Sequence, residues 1–155
     1  MVWDALLYRD PATNEYLPNL ATSYNWVDSK TLEFDLRKDV TFHNGEKFDA
    51  DDVVYTLTYI SNPENGAKPA RNVNWWDSAE KLGDYKVRLN LTKEFPAALE
   101  FLSGPIVMYP NEYYAEVGPE GMAMKPVGTG PYAVTSVEPG KRYKFKKNDN
   151  YHASS

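Results

Sequence analysis

The sequence predicts an α+β (mixed α/β) fold, with an antiparallel-rich sheet of hairpins and two to three covering helices. Alternating apolar and polar residues, typical of strands with one buried face, occur most clearly at Leu32–Leu36 and Tyr85–Leu91. Turn-forming residues separate the strand candidates, which favours hairpins over repeated βαβ units. Apolar residues with helical spacing follow Asp49 and predict the main covering helix.

The first predicted hairpin has Asp28, Ser29 and Lys30 near its turn and leads into the strand at Leu32–Leu36. After that strand, Asn44-Gly45 predicts a tight turn because both residues tolerate positive φ. Together these two turns place a sheet edge directly before the main helix.

Asp49 is expected to cap a helix over residues 50–61, with Asp52 placed to complete a capping box. The apolar face of this helix consists of Val53, Val54, Leu57 and Ile60. A metal or acid–base site at Asp49, Asp51 and Asp52 is disfavoured, because three acids in one helical turn point apart. They also suit the positive end of the helix dipole, so we interpret them as structural.

The middle of the chain is less regular. Residues 72–82 fit either a short helix or an irregular strand, and the sequence leaves both open. Pro96 suits the first turn of a helix that continues over residues 97–102. One or two helical turns are predicted over residues 110–117, and Gly118–Gly121 is expected to be loop.

Near the end, Gly128-Thr129-Gly130-Pro131 predicts a compact turn, because a phosphate-binding loop needs a following lysine and a helix. Strands are predicted at Tyr132–Val137 and Tyr143–Lys147. In the second strand, Tyr143 and Phe145 are expected to face inward, and the cations outward: Arg142, Lys144 and Lys146. A solvated edge strand is therefore favoured over a nucleic-acid surface.

Length and composition limit the classes of protein to which the chain can belong. The 155 residues suffice for one hydrophobic core, so we expect a single domain over residues 1–155. A formal net charge of −5 argues against broad nucleic-acid binding, which needs a basic face. The absence of cysteine excludes disulfides and thiolate chemistry. No apolar run reaches the roughly 18 residues of a membrane-spanning helix, and no signal peptide is visible.

Residues for catalysis or metal binding are sparse. His43 and His152 are the only histidines and lie far apart in sequence, which disfavours a zinc site. His43 precedes a turn and is interpreted as a surface or capping residue. No Gly-x-Ser-x-Gly nucleophile elbow supports a hydrolase. We predict no catalytic residue, no metal ligand and no cofactor.

Trp75 and Trp76 are the candidate ligand-binding residues, together with Arg71. Adjacent residues on a strand point to opposite faces, so one indole could pack in the core while the other is exposed. An exposed indole near Arg71 and Asn74 would offer a stacking surface for a ligand. Core packing of both indoles remains open, because Trp is mostly buried in folded proteins.

Four stretches carry a resemblance to a known family. They are Leu20–Ser23 with Trp26, Thr31–Gly45 (TLEFDLRKDVTFHNG), Phe48 with Ala50–Val54, and Val127–Tyr132 (VGTGPY) followed by Asn148–Tyr151. In this order they resemble the solute-binding proteins of peptide and nickel ABC importers, the oligopeptide- and dipeptide-binding type. The four stretches span nearly the whole chain.

The resemblance implies a two-lobed periplasmic-binding-protein-like fold, of which this chain is a truncated part of the first lobe without the second. It implies a non-enzymatic monomer in the periplasm or at the extracytoplasmic surface. That protein would capture peptides or a related small solute and deliver it to an ABC permease. The missing signal peptide is then explained by truncation. The matched stretches look like scaffold, so the resemblance transfers no site residues.

The sequence leaves two other functions open. A carbohydrate-binding module that uses exposed Trp and Tyr rings as stacking platforms is the alternative, supported by the 14% aromatic content. A hydrolase domain is the third hypothesis, disfavoured by the isolated histidines.

Overall fold

The computed structural model describes residues 2–152. The strands are β1 Leu7–Arg9, β2 Tyr16–Pro18, β3 Ala21–Asp28, β4 Thr31–Leu36, β5 Trp76–Gly83, β6 Lys86–Leu91, β7 Tyr132–Glu138 and β8 Arg142–Lys147. The helices are α1 Ala50–Ser61, α2 Ala70–Val73, α3 Ala98–Phe101 and α4 Asn111–Met124, with a 3-10 turn at Pro63–Asn65. Within residues 2–152, no helix is both long and apolar enough to cross a membrane.

The central sheet has the order β3-β4-β6-β5, and every neighbouring pair is antiparallel. The hairpin predicted around Asp28–Lys30 is confirmed, since β3 pairs with β4 across it. Alternate residues of β4 and β6 are buried on one face: Leu32, Phe34, Leu36, Val87, Leu89 and Leu91. The observed mixture of antiparallel sheets and few helices confirms the predicted α+β class.

Helix α1 covers the sheet and begins as predicted. The side chain of Asp49 accepts the Asp51 N–H at 2.9 Å, and the side chain of Asp52 accepts the Asp49 N–H at 2.9 Å. Asp52 does more than the capping box requires, because its other oxygen accepts the N–H of Asn111 at 2.8 Å. One carboxylate that is 2% exposed therefore holds the starts of both α1 and α4.

The ambiguous segment 72–82 contains both alternatives in succession. Helix α2 ends at Val73, and β5 begins at Trp76, with Asn74 and Trp75 between them. The helix predicted over residues 97–102 is present as the short α3.

The loop predicted at Gly118–Gly121 is wrong, because α4 extends through it to Met124. Gly118 leaves the helical region for one residue, with φ 66° and ψ −175°, and the helix resumes at Pro119. Glycine tolerates that conformation, and proline suits the first turn after it because its missing N–H would have no helical partner there. The Gly-Pro pair thus divides α4 into two helical segments, residues 111–117 and 119–124, with a kink between them.

Strands β7 and β8 form a separate two-stranded sheet. The prediction that Tyr143 and Phe145 face inward is wrong, since each is 56% exposed. The hairpin does not join the central sheet, and the two rings lie 6.5 Å apart along one wall of a groove whose other lining includes Trp3 and Tyr109. The cations of β8 are exposed as predicted.

Candidate functional site

Four segments that are distant in sequence meet at one corner, which we call the junction: residues 2–5, 42–45, 127–131 and 148–152. The N–H of Gly130 donates to the carbonyl of Val2 at 2.8 Å. The side-chain amide of Asn148 donates to the carbonyl of Gly130 at 3.1 Å. Three of these segments contain stretches that carry the sequence resemblance, so the junction is where those motifs converge.

His43 holds the turn of the junction by three hydrogen bonds. Its backbone N–H donates to the carbonyl of Gly128 at 2.9 Å, and the N–H of Gly128 donates to His43 Nδ1 at 3.3 Å. His43 Nε2 lies 2.9 Å from the carbonyl oxygen of Gly130. Because Nδ1 accepts a hydrogen bond, the ring is neutral and carries its proton on Nε2. The interpretation of His43 as a capping residue is confirmed in kind, but the backbone groups that its ring binds belong to the distant Gly128–Gly130 turn and not to its own turn.

Asp4 is the buried acid of the junction, with 5% of its surface exposed. Its carboxylate accepts hydrogen bonds from the hydroxyls of Thr129 and Tyr151, both at 3.1 Å. The third partner is His152, whose Nε2 lies 3.0 Å from the same carboxylate. Burial, followed by the charge of Asp4, raises the pKa of the Tyr151 hydroxyl. A buried charge with three partners fixes the position of the turn.

Gly128 is required by close packing at the same point. A Cβ atom there would meet the carbonyl of Val2 and would lie 2.6 Å from Cδ1 of Trp3. The indole N–H of Trp3 donates to the carbonyl of Val127 at 3.0 Å, which holds the ring against the turn. The backbone segments of residues 2–5 and 127–131 can approach this closely only without a side chain at position 128.

Two concave surfaces flank Trp3. A groove of about 530 Å³ is mostly apolar and is lined by Trp3, Tyr109, Tyr114, Met122, Tyr143 and Phe145 among others. A second cavity of about 410 Å³ lies beside Asp4 and is lined also by Tyr8, Leu17, Val107 and Tyr151. Both surfaces can accommodate apolar groups, and the second has a buried carboxylate at its edge.

The three residues that the sequence singled out do not form an exposed stacking surface. Trp75 is 0% exposed, and its indole N–H donates to the carbonyl of Asn72 at 2.8 Å. Trp76 is 4% exposed and packs edge-on against Trp75, with ring centroids 4.6 Å apart. Arg71 is exposed at the end of α2. Because β5 begins only at Trp76, the strand alternation expected of the two indoles does not apply.

Trp76 nevertheless has one unsatisfied group. Its indole N–H is buried and has no hydrogen-bond partner among residues 2–152. Such a donor costs about 1–3 kcal/mol relative to a paired one. The binding role of Trp75, Trp76 and Arg71 stays a prediction.

The three aspartates at the start of α1 are structural, as interpreted. Burial raises the pKa of Asp52 to about 7, against the two backbone N–H groups that lower it. Asp51 pairs with Lys81 at 2.9 Å on the surface. Among residues 2–152, no group of three or more His, Cys, Asp or Glu side chains could hold a metal ion.

Sequence reasoning missed the junction residues Asp4, His43, Thr129, Tyr151 and His152 as a group. One signal was available, because Asp4 is a lone acid within an apolar segment. A charge in such a segment is buried only with partners. The partners themselves could not be identified, since they lie 125 to 148 positions away.

The model of the family described as "Bacterial extracellular solute-binding proteins, family 5 Middle" matches residues 15–155. The probable ABC transporter periplasmic-binding protein SapA of Escherichia coli K12 is 29% identical over 96% of this chain and 31% of its own length. Di/tripeptide-binding protein 1 of Pseudomonas aeruginosa is 29% identical over 97% of this chain and 32% of its own. The chain thus spans about a third of the length of these relatives.

A solved structure of a related protein has the same fold as this chain. NikZ from Campylobacter jejuni, in complex with Ni(L-His), superposes with a TM-score of 0.88 and 31% sequence identity. The superposition covers 99% of this chain and 31% of NikZ.

Proposed function

The chain belongs to the bacterial extracellular solute-binding proteins of family 5, and we propose that it forms part of a protein that captures a peptide or related small solute for an ABC importer. The observation that carries this proposal is the family match over residues 15–155, together with a superposition that covers 99% of the chain. The relatives named above are peptide-binding and importer-associated proteins, which supports peptides or small metal complexes as the solute class.

In this proposal the chain supplies part of the first lobe, and the second lobe belongs to the remainder of the parent protein. Binding would come from closure of the two lobes around the solute, a hinge transition that the solute stabilises. A single wall contributes only part of the contacts. The isolated chain is therefore expected to bind its solute weakly or not at all.

Trp75, Trp76 and Arg71 remain the proposed binding residues of this wall, with Trp76 and Arg71 as the contacts and the fully buried Trp75 behind them. The unpartnered N–H of Trp76 supports the assignment, because a carbonyl or carboxylate oxygen of a solute would satisfy it after a small local opening. Arg71 is exposed and could pair with a carboxylate. Trp76 would then act through its indole N–H, and Trp75 through its hydrogen bond to Asn72 of α2. Neither indole offers an exposed stacking face.

The partner and location follow from the family in the same way. The parent protein is proposed to be a monomer in the periplasm or at the extracytoplasmic surface, where it meets a membrane permease. The names of the relatives as periplasmic-binding and peptide-binding proteins support this location and a non-enzymatic role.

Nothing in the comparisons supports the carbohydrate-binding alternative. The two indoles proposed to form its stacking surface, Trp75 and Trp76, are both buried. The relatives named above are peptide-binding and importer-associated proteins. We therefore give it no further weight.

Isothermal titration separates the contribution of the chain from that of the parent protein. Dipeptides, tripeptides and Ni(L-His) are titrated into the parent protein and into the isolated chain. The parent is expected to bind at least one of these solutes, and the isolated chain none at comparable affinity. Micromolar or tighter binding by the isolated chain would contradict the two-wall proposal, and no binding by the parent would contradict the solute class.

Variants in the parent test the proposed contacts. Trp76→Phe removes the N–H and keeps an aromatic ring, and Arg71→Ala removes the charge. Both are expected to weaken solute binding, with Lys93→Ala as an exposed control that leaves it unchanged. Unchanged affinity in both variants would remove these residues from the site and leave the family function intact.

A further inference from the structure

The chain contains two Asn-Gly pairs, Asn44-Gly45 and Asn65-Gly66, and all four residues are exposed. We propose that Asn65 is a site of spontaneous modification, where deamidation yields aspartate or isoaspartate, while the fold protects Asn44. The two pairs share the Asn-Gly dipeptide but not its neighbours, since His43 and Glu46 flank one pair and Glu64 and Ala67 the other. Comparison of the folded with the unfolded chain therefore separates the effect of structure from that of the flanking residues.

The reaction needs only water. The backbone nitrogen of Gly66 attacks Cγ of Asn65, a new N–Cγ bond forms, and the Cγ–Nδ2 bond breaks. The side-chain nitrogen leaves as ammonia with the proton lost by the Gly66 amide, which leaves a cyclic imide. Water then adds to one of the two imide carbonyls and opens the ring to aspartate or isoaspartate. Glycine favours the attack because it has no side chain to hinder it.

The setting of Asn65 offers little resistance to this attack. The 3-10 turn Pro63–Asn65 contains no buried residue. The backbone amide that must attack, that of Gly66, donates to the carbonyl of Pro63 at 3.2 Å. The side-chain amide of Asn65 donates to the carbonyl of Tyr59 at 2.9 Å, and its backbone N–H donates to the carbonyl of Asn62 at 3.1 Å. Hydrogen bonds of short 3-10 turns have poor geometry, and exposed segments with few packed side chains open at low free-energy cost.

The structure around Asn44 hinders the corresponding attack of the Gly45 nitrogen. The Gly45 N–H donates to the carbonyl of Phe42 at 2.9 Å, and the side-chain oxygen of Asn44 accepts the N–H of Glu46 at 3.1 Å. Phe42 and Phe48 anchor the two ends of this turn, at 2% and 1% exposure. Turning the Gly45 nitrogen toward Cγ of Asn44 would break both hydrogen bonds and disturb the buried anchors.

Modification of Asn65 would change the segment that leads into α2. The hydrogen bond from the Asn65 amide to the end of α1 would be lost, and a negative charge would appear six positions before Arg71. The isoaspartate form would also lengthen the backbone by one carbon. The loop between α1 and the proposed solute contacts would then be reshaped with time.

The test is peptide mapping by mass spectrometry after incubation of the folded chain at mildly alkaline pH, with isoaspartate detected enzymatically. Asn65 is expected to convert roughly tenfold faster than Asn44 in the folded chain. In urea the two conversion rates should be equal within a factor of about two, because the fold no longer distinguishes them. The variant Asn65→Gln should lose the fast conversion and leave the slow one at Asn44.

Two outcomes would overturn the proposal. One is conversion of Asn44 at the rate of Asn65 or faster in the folded chain. The other is an intact Asn65 in the folded chain at a time when the urea sample has converted at both positions.

Discussion

His43 and Gly128 exchange two hydrogen bonds across 85 positions of sequence. The backbone N–H of His43 donates to the carbonyl of Gly128 at 2.9 Å, and the Gly128 N–H returns a bond to His43 Nδ1 at 3.3 Å. This reciprocal pair joins the turn before α1 to the Gly-Thr-Gly-Pro turn before β7. The junction therefore depends on which nitrogen of His43 is protonated.

His43→Ala should lower the free energy of unfolding by about 2 kcal/mol, because it leaves the buried Gly128 N–H without its side-chain acceptor. It also removes one of the two donors to the Gly130 carbonyl, which keeps the Asn148 amide. His43→Asn should lose less, since the oxygen of its amide can still accept the Gly128 N–H. Urea denaturation measures both variants. Nitrogen NMR of the wild-type ring should show the proton on Nε2, and a proton on Nδ1 would contradict the assigned hydrogen bonds.

The carboxylate of Asp4 should be the most sensitive polar group of the junction. Asp4→Asn places an NH₂ group against donors such as the Thr129 hydroxyl, and we expect a loss of about 3 kcal/mol in urea denaturation. Tyr151→Phe removes one donor and should cost about 1 kcal/mol. Asp77→Asn on the exposed face of β5 is the matched control and should change stability little. Equal losses for Asp4→Asn and Asp77→Asn would contradict the role of Asp4.

Asp52 should make stability depend on pH. Burial raises its pKa in the folded state to about 7, above the ordinary value of 3.8 that applies to the unfolded chain. Between about pH 4 and pH 7 the folded state holds a proton that the unfolded chain has released, so the contribution of this group to stability falls as pH rises. The fall is on the order of 1.4 kcal/mol for each pH unit within this window.

Asp52→Asn should abolish this dependence, although it also loses one helix-capping acceptor and lowers stability at every pH. The matched control is Asp51→Asn, since Asp51 is half-exposed, lies in the same helical turn and should keep the wild-type slope. Denaturation in urea at a series of pH values gives both slopes. A wild-type slope that persists in Asp52→Asn would assign the pH dependence to other groups.

The sequence predicted those parts of the fold that short-range patterns determine. The turn at Asp28–Lys30, the capping box of α1 and the alternation in β6 each depend on residues a few positions apart. The junction depends on pairs such as Asp4 and His152, 148 positions apart, and no local pattern indicates such pairing. The stretches that resemble the family include parts of three of the four junction segments, but the resemblance does not show that these segments meet in the fold.

The errors have similar causes. Whether Trp75 is exposed depends on where β5 begins, and a shift of one residue reverses the faces of a strand. Whether Tyr143 is covered depends on which sheet β8 joins, and alternation along one strand cannot determine that. The proposed contacts at Trp75, Trp76 and Arg71 rest on a local pattern in the same way.

Gly128 offers the sharpest test of the junction, because the chain contains a suitable comparison glycine. Gly128→Ala places a methyl group against the Val2 carbonyl and the Trp3 ring, and relief requires the segment of residues 2–5 to move. Such overpacking typically costs about 1–3 kcal/mol, and the movement should also shift the fluorescence of Trp3.

Gly104→Ala is the control, since a Cβ there meets no atom within 4 Å and the backbone is not in the left-handed region. It should leave the free energy of unfolding within about 0.5 kcal/mol of wild type. If Gly128→Ala were as mild as Gly104→Ala, the contact between residues 2–5 and the turn would have to be looser than described. The strict need for glycine in the Gly-Thr-Gly-Pro turn would then rest on something other than the closeness of Val2 and Trp3.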